Sequence, residues 1–253
     1  MLGFLSPPDA HSPNAEDLNT LYWVMLVVGL FLLVAINGAL VALVMRFRSE
    51  RGREPRRLVV RRPAQIGTAG AFAALALIVF VIGVIGTQNA KQVEASGPDG
   101  LQAAALTTAQ RGLELPVGGD TSPLEITACG QQWIWRYEYP DGTYSYYEMV
   151  VPVDTAVVVK LCSTDVIHRW WVPGLSGKFD AAPGESNQTW FKADETGVWD
   201  GASYAFSGAA YAAMRTRVRV VDVPAYQAWL EQQAAGIQEA QTFVQQALGE
   251  AGG

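Results

Sequence analysis

The sequence is poor in the residues that build metal sites and disulfide scaffolds. Of its 253 residues, only two are Cys and two are His. This scarcity excludes a protein with several zinc sites and a small fold held together by many disulfides. Charged residues make up only 17% of the chain, and the net charge of −6 argues against nucleic acid as the main partner. The 50% hydrophobic content excludes a disordered chain.

Lys and Arg are absent from residues 1–45, whereas residues 46–62 contain eight Arg and two Glu. The basic cluster separates two apolar runs without any charge, at 21–45 and 66–85. A helix of about 20 apolar residues crosses the hydrocarbon core of a bilayer. We therefore predict transmembrane helices at 21–45 and 66–87, because two buried core helices of a globular protein would normally keep a polar face.

The Arg-rich segment orients this helical hairpin. Short cytoplasmic loops collect Lys and Arg, so the loop 46–65 is predicted to be cytoplasmic and the tail 1–20 extracytoplasmic. The tail lacks the basic start of a secretory signal peptide. The expected location is a bacterial-type plasma membrane, crossed more than once, with the soluble domain on the periplasmic or extracellular side. The arginines are also expected to contact anionic lipid, and their position between two spans argues against a nucleic-acid patch.

After the second predicted span, the composition and pattern of the sequence change twice. Residues 88–123 are rich in Gly, Ala, Gln, Thr and Pro and are predicted to form a linker, with a short helix near 101–110. Residues 124–224 contain short alternating or β-branched stretches between Gly and Pro, which is typical of an antiparallel sandwich or barrel. The predicted strands are 124–129, 131–139, 144–151, 155–161, 166–172, 189–192 and 216–221.

The C-terminal segment 225–253 has a different period. Apolar residues recur at steps of three, four and seven, which is typical of an amphipathic helix. The residues that carry this pattern are Tyr226, Leu230, Ile237, Val244 and Leu248.

Several ordered motifs of the β-rich region carry a resemblance to a known family. They are Gly130–Pro140, which contains Trp133 and Trp135, then Val151–Val153, Ser163–Pro173, Gly177–Gly184 and Gly197–Gly201. In this order they resemble subunit II of the haem-copper terminal oxidases, the superfamily of cytochrome c oxidases and quinol oxidases. The resemblance implies a membrane α-hairpin, an all-β cupredoxin-like Greek-key sandwich and a C-terminal amphipathic helix. It also implies partners, namely subunit I, which carries the haems and copper B, and subunit III.

The sequence departs from the family at the copper A site. In the cytochrome c oxidases of this family, a dinuclear copper centre is held by two bridging Cys, two His, one Met and the carbonyl of a Glu between the Cys. The family pattern Cys-x-Glu-x-Cys-x-x-x-His-x-x-Met falls on residues 203–214 of this chain. Here the matching residues, including the separate first His, are His168, Ser203, Ala205, Ser207, Tyr211 and Met214.

Only His168 and Met214 keep the family's side chains at this site. Soft thiolates suit copper, whereas a serine hydroxyl is hard and stays protonated near neutral pH, so it cannot bridge two copper ions. We therefore expect this chain to bind no cofactor and no metal. The resemblance also implies that it carries no catalytic residue, because in this family the chemistry is done by subunit I. Ala205 also removes the Glu that in family members reaches a magnesium site at the boundary with subunit I.

Two residue pairs have open interpretations. Cys129 and Cys162 lie outside the ligand loop, where they form either a disulfide or two buried small hydrophobic side chains. In the cytochrome c branch, the first Trp of the motif is where electrons enter. Without copper below it, Trp133 is instead predicted to share one strand face with Trp135 and to pack against the catalytic subunit or the membrane.

The function implied by this resemblance is that of a non-catalytic subunit in a respiratory oxidase that reduces oxygen to water and translocates protons. The Asp-Gly and Ser-Gly pairs of residues 200–208 resemble quinol oxidases, which lack copper A and take electrons from membrane quinol through subunit I. Residues 165–168 and 177–180 resemble the cytochrome c branch instead. The alternatives are a cytochrome c oxidase with an atypical electron route, a related nitric oxide reductase and a membrane-anchored module without a catalytic partner.

Overall fold

The computed structural model describes residues 6–46, 62–101 and 123–251. These residues form three long α-helices and ten β-strands. The chain divides into two compact units, of which the first is 1–16 with 91–253 and the second is 17–90. The helices are α1 (Pro13–Arg46), α2 (Arg62–Lys91) and α3 (Val223–Ala251).

Two helices in the described residues are long and apolar enough to cross a membrane, Pro13–Arg46 and Gln65–Asn89. Most of their large apolar side chains are exposed, as expected for helices that meet lipid. The first helix starts well before the predicted residue 21. Pro13 is favoured at the first helical position and Ser12 just before it, so the predicted tail 1–20 contains the helix start.

The second helix also extends beyond its predicted bounds of 66–87 and reaches the charged residues Arg62 and Lys91 at its two ends. It therefore takes up the first residues of the predicted linker 88–123. Most of the predicted basic loop 46–65 and the predicted short helix at 101–110 lie outside the described residues.

The β-domain contains two five-stranded sheets. The first has the order β3-β2-β1-β5-β8 and the second β4-β10-β9-β6-β7. The strands are β1 (Leu124–Gln131), β2 (Ile134–Glu138), β3 (Tyr144–Tyr146), β4 (Glu148–Pro152), β5 (Val157–Ser163), β6 (His168–Trp171), β7 (Phe179–Ala181), β8 (Asn187–Phe191), β9 (Gly197–Ser203) and β10 (Arg215–Val221).

The sheets are mixed, which corrects the prediction of an antiparallel sandwich. Strands β1 and β5 pair in parallel, and so do β4 and β10. Parallel neighbours need a crossover connection rather than a tight turn. The sequence pattern marks each strand by itself and does not show which strands pair, so it does not detect the crossovers. The predicted strand 144–151 is two strands, because Tyr147 has a positive φ of 68° and interrupts the pairing.

The core lies between the two sheets. Its largest fully buried side chains include Trp135, Tyr137 and Trp170. The indole N–H of Trp170 donates to the Tyr137 hydroxyl at 3.0 Å, and that hydroxyl is also hydrogen-bonded to Thr216 on the other sheet. Buried polar groups that find partners in this way link the sheets without an unsatisfied donor.

The C-terminal segment is a helix, as predicted, and it joins this core through its first two turns. Tyr226 and Leu230 are buried, and Trp229 lies 5.0 Å from the ring of Tyr139. Its distal apolar side chains, such as Phe243 and Leu248, are exposed within the described unit.

Candidate functional site

The predicted ligand loop connects two neighbouring strands. Strands β9 and β10 pair antiparallel up to Ala202 and Arg215. The backbone N–H of Ser203 then donates to the carbonyl of Met214 at 2.8 Å and closes the loop 204–213 at its base. Both Ser203 and Met214 are buried. The sandwich therefore fixes both ends of this loop.

His168 begins β6 and is fully buried beside the loop. Its ring lies edge-on to Trp135, with 5.9 Å between the ring centroids. It also packs directly on Gly130, where an added Cβ would lie only 2.8 Å from a ring carbon. Gly130 is thus required by the close approach of this imidazole to the β1 backbone.

The orientation of the imidazole is set by Asp165. The His168 Nε2–H donates to a carboxylate oxygen of Asp165 at 2.9 Å. In the neutral ring this leaves a lone pair on Nδ1, and that buried nitrogen has no hydrogen-bond partner in the described part of the chain. The sequence reading singled out His168 but missed Asp165 as its partner, although the Asp-x-x-His spacing was a readable signal.

Asp165 is a small hydrogen-bonding hub. Partial burial raises the pKa of its carboxyl group, but hydrogen bonds from His168 and from the backbone N–H groups of Gln132 and Val166 outweigh burial and lower that pKa to about 2. The carboxylate therefore connects the β1–β2 turn to the start of β6.

We expect an Asp165→Asn variant to be less stable than the parent chain, with the difference in free energy of unfolding largest above pH 4. Because the folded pKa of Asp165 lies below its unfolded value, the carboxylate stabilises the fold above the unfolded pKa and loses this effect as the pH falls through about 2. The difference in free energy of unfolding, at most about 2 kcal/mol, should shrink between pH 4 and pH 2. Denaturant titrations at several pH values measure it. An Asn variant whose deficit stays constant down to pH 2 would contradict this assignment, and Glu185→Gln, an exposed acid outside the network, is the control.

The second predicted serine position is held from the β1–β2 turn. The carbonyl oxygen of Ser207 accepts hydrogen bonds from the Gln132 side chain at 2.6 Å and from the Trp133 indole at 3.0 Å. The Ser207 hydroxyl is buried without a partner within the described residues. The Ser203 hydroxyl accepts from the backbone N–H of Arg169, the residue after His168, at 3.2 Å.

The remaining positions of the pattern lie nearer the surface. Ala205 is half-buried, and Tyr211 is exposed, with its ring 5.2 Å from that of exposed Phe206. The structure thus gathers His168, Ser203 and Met214 through neighbouring strands, links Ser207 to them through the β1–β2 turn and leaves Tyr211 outside.

The two tryptophans do not share a face, so that prediction was wrong. Trp133 lies in the turn before β2 and is 38% exposed, whereas Trp135 lies on β2 and is 0% exposed. The alternation rule holds only within a continuous strand, and β1 and β2 are separate strands on either side of the turn at residues 132 and 133. Trp135 is a core residue of the β-domain and cannot pack against another subunit.

The cysteines are joined across the first sheet. Cys129 on β1 and Cys162 on β5 are register partners and form a disulfide with their Cα atoms 4.6 Å apart. These are the only cysteines in the sequence. The donor atoms at the loop are therefore one imidazole, one thioether and two hydroxyls without any thiolate, a set that does not fit a thiolate-bridged copper pair.

Comparison with known proteins identifies the family. The family model described as cytochrome c oxidase subunit II, periplasmic domain, matches residues 145–221. Subunit 2 of the cytochrome c oxidase of Cereibacter sphaeroides is 27% identical, in an alignment that spans 90% of this chain and 80% of that protein. The corresponding subunit of Thermostichus vulcanus is 28% identical over 90% of this chain and 78% of its own length. The chain belongs to the subunit II family of the haem-copper oxidases.

A solved structure is also similar to part of this chain. The periplasmic domain of subunit II of the Bradyrhizobium japonicum cytochrome oxidase is 35% identical, covers 45% of this chain and 94% of its own, and superposes with a TM-score of 0.44. As a subunit II, the chain is a membrane protein with a periplasmic cupredoxin-like domain, and it is part of an oxidoreductase complex together with subunit I.

Proposed function

We propose that this subunit II lacks copper A and that its oxidase, which reduces oxygen to water and translocates protons, takes electrons from membrane quinol through subunit I. In this proposal the chain holds no redox cofactor and no catalytic residue. Its part is structural, as the periplasmic domain docked on subunit I, and the haems and copper B belong to that partner. Residues 200–208, with their Asp-Gly and Ser-Gly pairs, support the quinol oxidase branch.

One observation carries this proposal, namely the loss of both bridging sulfur ligands. Ser203 and Ser207 stand where the family has its two Cys, and the chain's only cysteines are consumed in the disulfide between β1 and β5. Two closely spaced copper ions share their charge through thiolates, which hydroxyls near neutral pH do not replace. His168 and Met214 alone make a poor copper site.

The hydrogen bonds of the loop 204–213 support a structural role. In the cytochrome c branch, electrons enter at the position of Trp133. In this chain the indole N–H of Trp133 donates to the carbonyl of Ser207. Trp133 therefore anchors the ligand loop to the β1–β2 turn. Ala205 supplies no carboxylate, so the protein's contribution to a magnesium site at the boundary with subunit I is absent as well.

The same proposal includes the membrane arrangement. Helices α1 and α2 form a two-span hairpin with the arginines of residues 46–62 on the cytoplasmic side, and both chain ends face the periplasm. Those arginines contact anionic lipid head groups. The complex also contains a subunit III.

Oxygen consumption by the purified complex tests the electron donor. We expect rapid turnover with a reduced short-chain quinol and none above background with reduced cytochrome c. A Trp133→Ala variant should keep its quinol-driven rate, because no electron passes through this side chain.

The reverse donor preference would contradict the proposal and favour a cytochrome c oxidase with an atypical electron route. Reduction of nitric oxide instead of oxygen would assign the complex to the nitric oxide reductases. A complex that turns over with quinol and loses that activity in Trp133→Ala, while remaining assembled, would contradict the structural role of Trp133.

A further inference from the structure

A second cluster of ligand-type side chains lies where the N-terminal tail crosses the β-domain, away from residues 203–214 (the copper loop). The backbone N–H of His11 donates to the carbonyl of Gly174 at 2.8 Å, and the His11 carbonyl accepts from the backbone N–H of Asp194 at 3.2 Å. The next residue, Ser12, is buried, and its hydroxyl accepts from the backbone N–H of Lys192. His11 is therefore fixed in the fold by main-chain bonds on both sides.

These bonds place the His11 ring beside two carboxylates. Its Nδ1 lies 3.1 Å from Oε1 of Glu195 and 3.6 Å from Oδ1 of Asp194. One ligand atom from each residue lies within 4.8 Å of the others. The ring also contacts Trp199, with centroids 5.5 Å apart. The side chain of His11 is 30% exposed and the two acids are more than half exposed, so an ion can reach them from solvent.

We propose that His11, Asp194 and Glu195 bind a zinc ion, with water as the fourth ligand. Zinc takes imidazole nitrogen and carboxylate oxygen at about 2.0–2.2 Å in tetrahedral geometry, which places neighbouring ligand atoms about 3.4 Å apart. The two observed nitrogen–oxygen separations lie on either side of that value. Three protein ligands with an open fourth position are a common zinc arrangement.

The local charges favour a cation at this point. Two carboxylates face one imidazole, and Asp9 adds a third acid in the same tail segment. Lys192, the cation nearest in sequence to Asp194, is paired with Glu94 at 3.0 Å. Without metal, a protonated His11 forms ion pairs with the two acids. Zinc binds the lone pair of Nδ1 and therefore displaces a proton held at that atom.

The site joins segments that are far apart in sequence. A zinc ion held by residues 11, 194 and 195 would cross-link the tail to the loop between β8 and β9. Because a ligand that binds only the folded state stabilises it, zinc should also protect the tail from proteolysis. The inference uses none of the residues of the copper loop and does not depend on the electron donor.

Zinc titration of the full-length chain in detergent tests this site. The protein is purified without a polyhistidine tag, treated with a chelator and titrated with zinc sulfate, and cobalt is used in parallel for its tetrahedral absorption bands. We expect one zinc ion per chain. Both His11→Gln and Glu195→Gln should weaken binding by about tenfold or more, whereas Glu185→Gln, another exposed acid, should bind like the parent chain.

Two results would overturn the proposal. The first is the absence of zinc binding by the folded parent chain at concentrations of zinc well above that of the protein. The second is binding that persists unchanged in His11→Gln, since the only other histidine, His168, is buried in the copper loop region. Circular dichroism of each variant separates a lost ligand from a lost fold.

Discussion

A variant that carries Ser203→Cys, Ala205→Glu, Ser207→Cys and Tyr211→His together is expected to gain a dinuclear copper centre that the parent chain lacks. The four substitutions restore the family pattern at the positions where this sequence departs from it. The loop that receives them is already closed by the hydrogen bond between Ser203 and Met214. Both ends of the loop are therefore already in place, and the donor atoms are missing.

The residues that keep their family identity are prepared for this reconstruction. Asp165 holds the Nε2–H of His168 and leaves the lone pair of Nδ1 without a partner among the described residues. Met214 is buried at the loop's end. Tyr211 has to give up its contact with Phe206, so the part of the loop around the short 3-10 helix (Tyr211–Ala213) must adjust when His replaces it.

Copper content and visible absorption of the full-length chain in detergent measure the outcome. The reconstructed variant should be purple and bind copper tightly after mild dialysis. The matched control carries the same changes except Ser207→Cys. It should bind no more than one copper ion per chain and lack the absorption of the dinuclear centre, because one thiolate cannot form the double bridge. A parent chain that develops the same absorption, or a reconstructed and folded variant that binds no copper, would contradict the account of the site.

Replacing Trp135 by Ala is expected to destabilise the β-domain by about 3–5 kcal/mol. This side chain is fully buried in the core and lies against His168. Its removal leaves a large cavity next to the copper loop, and the loss is comparable to a large part of the stability of an ordinary domain. Many molecules of this variant should be unfolded at moderate denaturant concentrations that leave the parent chain intact.

Two other substitutions control this prediction. Trp133→Ala removes one hydrogen bond and a half-exposed ring, so it should lower stability by only about 1 kcal/mol. Trp135→Phe keeps most of the aromatic volume and removes an indole N–H that has no partner within the described residues, and it should cost less than Trp135→Ala. Denaturant unfolding followed by near-ultraviolet circular dichroism ranks the variants. A larger loss for Trp133→Ala than for Trp135→Ala would show that the turn, and not the core, governs stability.

Parts of the fold could be predicted from the sequence because a short stretch of residues determines them. The charge-free runs marked both membrane helices, and the β-branched run at 157–159 marked β5. Strands β7 and β9 were missed for a physical reason. Phe179–Ala181 is too short for a period, and Gly197–Ser203 contains two Gly and an Asp, which are poor strand formers. Strand β9 forms because β6 and β10 supply hydrogen bonds on both sides.

The copper loop also combines features that follow from local sequence with features that depend on distant residues. The loss of ligands at residues 203–211 follows from the identity of each residue in a recognisable pattern. The hydrogen bonds from Gln132 and Trp133 to Ser207 join positions about 75 residues apart, and no local pattern encodes them. The turn between β1 and β2 likewise had no Gly or Pro to mark it, which is why the two tryptophans were assigned to one strand.

The copper content of the purified oxidase complex, measured against its haem content, tests the central claim most directly. If this subunit has exchanged its sulfur bridges for hydroxyls, the only copper in the complex is copper B of subunit I, and paramagnetic resonance shows no mixed-valence copper pair. A complex that contains the additional dinuclear copper centre, with its characteristic resonance signal, would contradict the account.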